Sequence, residues 1–232
     1  MRFLAAVIAV PALLIGWQLW SDHSFEQRLE PIASGISGRT DTVNCQSFWG
    51  GLIDAQAREG EVSFNAAGVP EPKLFLTRPT CQRLRKFAGH SHHGELDCLA
   101  QIDWAAAEPL PFDSECYAQA RRTIYAVLVL AHESYHTAGV ADEAAANCFA
   151  IQAMAWTAVQ LGAAAGEADL LARAMEVLEP RQGGEYGTAE CHAGGKFDLN
   201  PETVAFPTEH PIVPPLGHGG VPSLLGRRIG VD

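Results

Sequence analysis

The sequence has no long run of lysines and arginines, and its formal net charge is −11. A phosphate-binding footprint needs clustered positive charge, so the composition argues against a nucleic-acid partner. No two cysteines are spaced CxxC, which argues against a zinc ribbon or a thioredoxin-like motif. No internal repeat is apparent. No charged residue lies between Phe3 and Trp20, where only Gln18 is clearly polar. No Gly or Pro interrupts the chain from Ser114 to Ala138.

The second-last of these absences bears on compartment. An apolar stretch of about 18 residues can just span a bilayer. Arg2 precedes it, and Asp22 and Glu26 follow it. That asymmetry predicts a cytoplasmic amino terminus with the remainder outside. No small-x-small cleavage site closes the run, and Trp17 and Trp20 suit a membrane interface. Residues 1–20 therefore read as a signal anchor or transmembrane helix, with secretion after signal cleavage as the alternative.

Six cysteines, an even count, suit an oxidising compartment and up to three disulfides. The loop between Cys81 and Cys98 is short and polar, which makes them the candidate pair. Alternatively some cysteines stay free and buried, which suits Cys148 in its Ala-rich surroundings. With 47% hydrophobic residues in 232, the chain can build a core of its own.

Residues 21–43 are polar and read as a juxtamembrane linker with at most a short helix. Lys73–Thr77 alternates like a strand between prolines, and the stretch from Cys81 starts helix-like and ends as a loop. From Ser114 a long helix is expected, with Ile124–Ala131 almost wholly apolar and hence buried on most sides. Gly139 is placed to end it through a positive φ. Asp142 has the chemistry of an N-cap for a second helix over 143–161. The two should form an antiparallel hairpin, and a third, amphipathic helix follows over 167–179. The Gly- and Pro-rich end, 196–232, reads as a flexible tail. The fold class expected is mainly α, α+β being the alternative, with a few short strands and disulfide staples.

The hairpin carries the chemistry. "LAHESYH" holds an HExxH pattern. His132 and His136 are four apart and share one helical face. Two neutral imidazoles so placed can bind one Zn²⁺. Glu133, one step round, can reach a water on that ion and take its proton. The rival reading is a helix end with two solvated histidines. Tyr135 points elsewhere. Arg121 and Arg122 read as a solvated patch, and His90, His92 and His93 as solvated loop residues, a second metal site or a pH-sensitive patch being the alternative. His192, His210 and His218 are candidates for steadying an oxyanion.

The segment from about Ala120 to Gln152 resembles the zincin metallopeptidases. Counting through Gly139 and Asp142 it is similar to a metzincin pattern, HExxHxxGxxD. Counting to Glu143, "EAAAN" resembles the second helix of gluzincins. The gluzincin resemblance implies Glu143 as third ligand and Asn147 as the residue that holds a ligand imidazole. The metzincin resemblance implies Asp142 instead. Glu143 is preferred, because Asp142 is the natural cap and the later methionines, Met154 and Met175, fall inside predicted helices rather than in a Met-turn. The stretch is also similar to membrane-anchored or secreted proteins sharing an LAHESxH…G…EAxxxCxAxQ core.

What this resemblance implies is an extracytoplasmic zincin-like domain over 44–195 that hydrolyses peptide or protein substrates with Zn²⁺. His132, His136 and Glu143 would be ligands, with Glu133 as catalytic base. A catalytically inactive zinc-binding adaptor at the membrane surface and a purely structural helical domain are the alternatives.

Overall fold

The computed structural model describes residues 2–47, 59–89, 96–102, 115–178 and 186–202. Helix α1 spans Arg2–Ser37. Its second half repeats apolar side chains at helical spacing, with Phe25, Leu29, Ile32, Ala33 and Ile36 all buried. Each large one contributes about 1.5–3 kcal/mol by leaving water. Residues 21–37, expected as a linker, are thus core helix. The side chains of most of residues 1–20, on which the expected membrane span rests, lie outside the described residues. Among the described residues no helix is long and apolar enough to cross a membrane.

Three short strands follow: β1 (Thr42–Cys45), β2 (Gly60–Phe64) and β3 (Pro70–Leu76). They form one sheet in the order β1-β3-β2, with β1 parallel and β2 antiparallel to β3. Central β3 buries Leu74 and Leu76 on one face and turns Phe75 outward, the period-2 pattern of a half-buried strand. Among the described residues β2 is an edge strand.

Helix α2 (Arg78–Ala88) starts beyond Thr77 with Pro79 in its first turn, where a missing N–H costs nothing. A 3-10 turn spans Asp97–Gln101. Three helices complete the order: α3 (Glu115–Thr137), α4 (Glu143–Leu161) and α5 (Ala165–Leu178). α3 is the central element and touches α1, α2, α4, α5 and the sheet. The architecture is mainly helical with a small sheet and disulfide staples.

The staples differ from expectation. Cys45 pairs with Cys81, not Cys98 with Cys81, and Cys148 pairs with Cys191. The β1–β3 register sets Cys45 beside Leu76, five residues before Cys81 in the first turn of α2, so their Cα atoms come within 6.0 Å. Cys98 is also disulfide-bonded, and Cys148 is not free. Loops of 36 and 43 residues place each of the two bridges at about 4 kcal/mol in the chain-entropy view.

Candidate metal centre

The turn between α3 and α4 fixes the site. Gly139 has φ 98°. Its N–H donates to the His136 carbonyl at 2.9 Å, and the Val140 N–H donates to the Tyr135 carbonyl at 3.1 Å. These two bonds make a Schellman cap, which a Cβ at Gly139 would strain. Val140 is buried and folds back over the last turn of α3. Asp142 then caps α4, its Oδ1 accepting from the Ala145 N–H at 2.7 Å. A further bond ties the end of α3 to the residue just before β1, since Thr137 Oγ1 donates to buried Asp41 Oδ2 at 2.7 Å.

With the hairpin set this way, three side chains converge. His132 Nε2 and His136 Nε2 lie 2.9 Å apart. Glu143 Oε2 lies 3.0 Å from the first and 3.2 Å from the second. Four-coordinate Zn²⁺ with bonds of about 2.0–2.2 Å needs ligand atoms about 3.3 Å apart. The observed triangle is slightly tighter than that and has the right donor set. These three residues are the His/Cys/Asp/Glu group that could hold a metal ion among the described residues.

The group that holds the ligand imidazole is not the expected one. Asn147 holds no imidazole; its Nδ2 donates to the Tyr186 carbonyl at 3.0 Å. The His136 ring is held instead by the Val140 carbonyl, which accepts from Nδ1. The Schellman turn brings that carbonyl one helical turn back, ahead of anything on α4. A proton kept on Nδ1 leaves Nε2 as a lone pair facing the cluster, the tautomer a metal requires.

Electrostatics point the same way. Burial, then the neighbouring His132, lowers the His136 pKa against the opposing pull of Val140 and Glu143. A neutral imidazole is thereby favoured. The hydrogen bond with His132 holds the Glu143 carboxyl down to about 2, despite partial burial. Asp142 turns its carboxylate to the α4 backbone, which leaves Glu143 as the acidic member of the group.

Glu133 is 6% exposed and lines the same cleft as His132, His136, Glu143 and Asn147. The cleft, about 1560 Å³, runs along α3 between β2 and α2. Gly60 of β2 packs directly on Glu133: a Cβ there would stand 2.5 Å from its Cγ. Phe64 meets the His136 ring edge-on at 6.2 Å, and the Tyr186 ring lies 6.0 Å from that of His132. Tyr135 is fully buried against Phe149, and burial pushes its phenol up. It faces the core and is not among the cleft-lining residues, in keeping with the expectation that it points elsewhere.

Gly60, Phe64 and Tyr186 had no local signal in the chain. The nearest hint to Tyr186 is Cys191, whose bridge to Cys148 draws that segment over α4. His192 is exposed and contacts the Ala193 carbonyl, outside the cleft lining. His90, His92, His93, His210 and His218 lie outside the described residues. Compared with known proteins, the chain matches no family model, no curated protein and no solved structure.

Proposed function

We propose that the protein is an extracytoplasmic, membrane-anchored zinc-dependent peptidase of the zincin kind. His132, His136 and Glu143 hold the metal, and Glu133 acts as general base and then general acid. One observation carries the reading: three ligand atoms within 3.2 Å of one another share a cleft with a buried carboxylate on the adjoining helical position. The engagement of Asp142 as a helix cap supports Glu143 over it as third ligand.

A zinc ion in this group supplies Lewis-acid activation of water and of a scissile carbonyl. The chain's own residues supply the rest. Glu133, little exposed to water, accepts the proton of the attacking water and hands it to the departing amine. β2 borders the cleft as an edge strand, and an extended peptide can pair with such an edge. The paired cysteines suit an oxidising compartment, which agrees with a domain outside the cytoplasm. A denatured-protein library incubated with the zinc-loaded protein tests the activity. Cleavage that Glu133→Gln abolishes is expected. Zinc bound with no cleavage would leave the inactive adaptor.

A further inference from the structure

The cleft is electrically lopsided. Its acidic lining residues are Glu59, Glu61, Glu133 and Glu143, which come from β2 and the residue before it and from the α3–α4 hairpin. The described lining contributed by α2 and the first half of α3 has no carboxylate and four cations: Arg83, Lys86, Arg121 and Arg122. This concentration stands in a chain of net charge −11. Arg121 and Arg122, read from sequence as a solvated patch, are exposed, yet they line the same cleft as the HExxH histidines. Arg121 lies over the Tyr125 ring at 5.3 Å. Stacking uses the guanidinium face and leaves its in-plane donors available for a carboxylate.

The spacing is set by one helix face. From Arg122, Tyr125, Val129, His132 and His136 recur at three- and four-residue intervals along the cleft, with Arg121 beside Arg122 and four residues before Tyr125. From Arg122 to His132 is ten residues, about 15 Å of helix. An extended peptide covers about 3.3 Å per residue, so this end lies about four to five residues from the bond at the metal.

Resting on the peptidase reading, we infer that Arg121 and Arg122 form a carboxylate-recognition subsite. It takes an acidic side chain or a free C-terminus about four to five residues from the scissile bond. Charge complementarity of this type sets specificity and register.

The test uses the full zinc-loaded protein and quenched peptides. Asp, Ala or Lys is scanned over positions two to seven on each side of a fixed cut, with free or amidated C-termini. Wild type should cut peptides with Asp four or five residues away about ten-fold or more faster, in kcat/KM, than their Lys counterparts. Arg121→Glu/Arg122→Glu should invert that preference, and Arg121→Gln/Arg122→Gln should flatten it. A preference that persists on amidation assigns the anion to a side chain, and one that vanishes assigns it to the C-terminus. Equal rates for Asp, Ala and Lys in wild type, or an acid preference that survives both double variants, would overturn the subsite. If nothing is cut, the peptidase reading has failed, and the subsite is judged by binding alone. Fluorescence anisotropy of an Asp-containing peptide on the Glu133→Gln protein should then weaken about ten-fold when both arginines are reversed. No change would refute it.

Discussion

Gly60→Ala is the sharpest perturbation the structure offers. The added Cβ would meet Glu133 Cγ at 2.5 Å, Oε1 at 2.7 Å and Cδ at 2.8 Å. Carbon atoms settle at about 3.5–4.0 Å, so strand or side chain must yield by about 1 Å. Overpacking of this kind costs about 1–3 kcal/mol. The close approach, not the backbone, is at stake, since Gly60 lacks the positive φ seen at Gly139. In a Glu133→Ala background the obstructing atoms are gone. There the same change should be neutral, or stabilising by about 0.4–1 kcal/mol through the unfolded chain. Urea unfolding of wild type, both single variants and the double variant yields the coupling free energy, expected at about 1–3 kcal/mol. Additivity within about 0.5 kcal/mol would refute the packing of β2 on Glu133. In an activity assay, a base displaced by about 1 Å should cost about a hundred-fold in kcat while zinc affinity holds, because all three nearest atoms belong to Glu133.

Other predictions separate neighbouring residues. Glu143→Gln should weaken zinc binding by at least ten-fold in a competitive chelator titration, whereas Asp142→Asn should keep the metal, since Asn still caps. Asp142→Ala should cost about 1 kcal/mol of stability. Thr137→Val deletes a buried hydrogen bond to Asp41 and should cost about 1.5–3 kcal/mol in chemical denaturation. For the metal-free protein, acidification should destabilise in two windows. His136 has a folded pKa below its ordinary 6.5, so its stabilising effect is present above that value and lost as pH falls through the folded one. Glu143 loses its own between 4.5 and about 2. Stability profiles of wild type, His136→Asn and Glu143→Gln against pH check both windows, each variant flattening its own.

The hairpin was legible because its determinants are local. His132, His136, Gly139, Asp142 and Glu143 fall within twelve residues, where helical periodicity, the positive-φ cap and the N-cap govern geometry. The end of α3 and both bounds of α4 follow from those rules. Contacts between distant segments were not legible. Gly60 meets Glu133 and Asp41 meets Thr137 only once the sheet is docked on α3, and strands as short as β1 and β2 leave little pattern. The second half of α1 carries an apolar stripe, but Ser34, Gly35 and Ser37, with Gly38 just beyond the helix, dilute it into the look of a linker. The Cys81–Cys98 expectation weighed the length and polarity of one loop, whereas the parallel register of β1 on β3 decides the pairing. Asn147 was assigned to an imidazole by resemblance, and the fold-back of Val140 supplied a nearer acceptor.

The central claim is that His132, His136 and Glu143 share one cation. Zinc titrated into the metal-free protein, read by X-ray absorption at the zinc edge, tests it directly. One ion per chain is expected, with two imidazole nitrogens and carboxylate oxygen in the first shell, and His132→Ala/His136→Ala should abolish it. A folded protein that binds no stoichiometric zinc, or a shell without histidine nitrogen, would contradict the account.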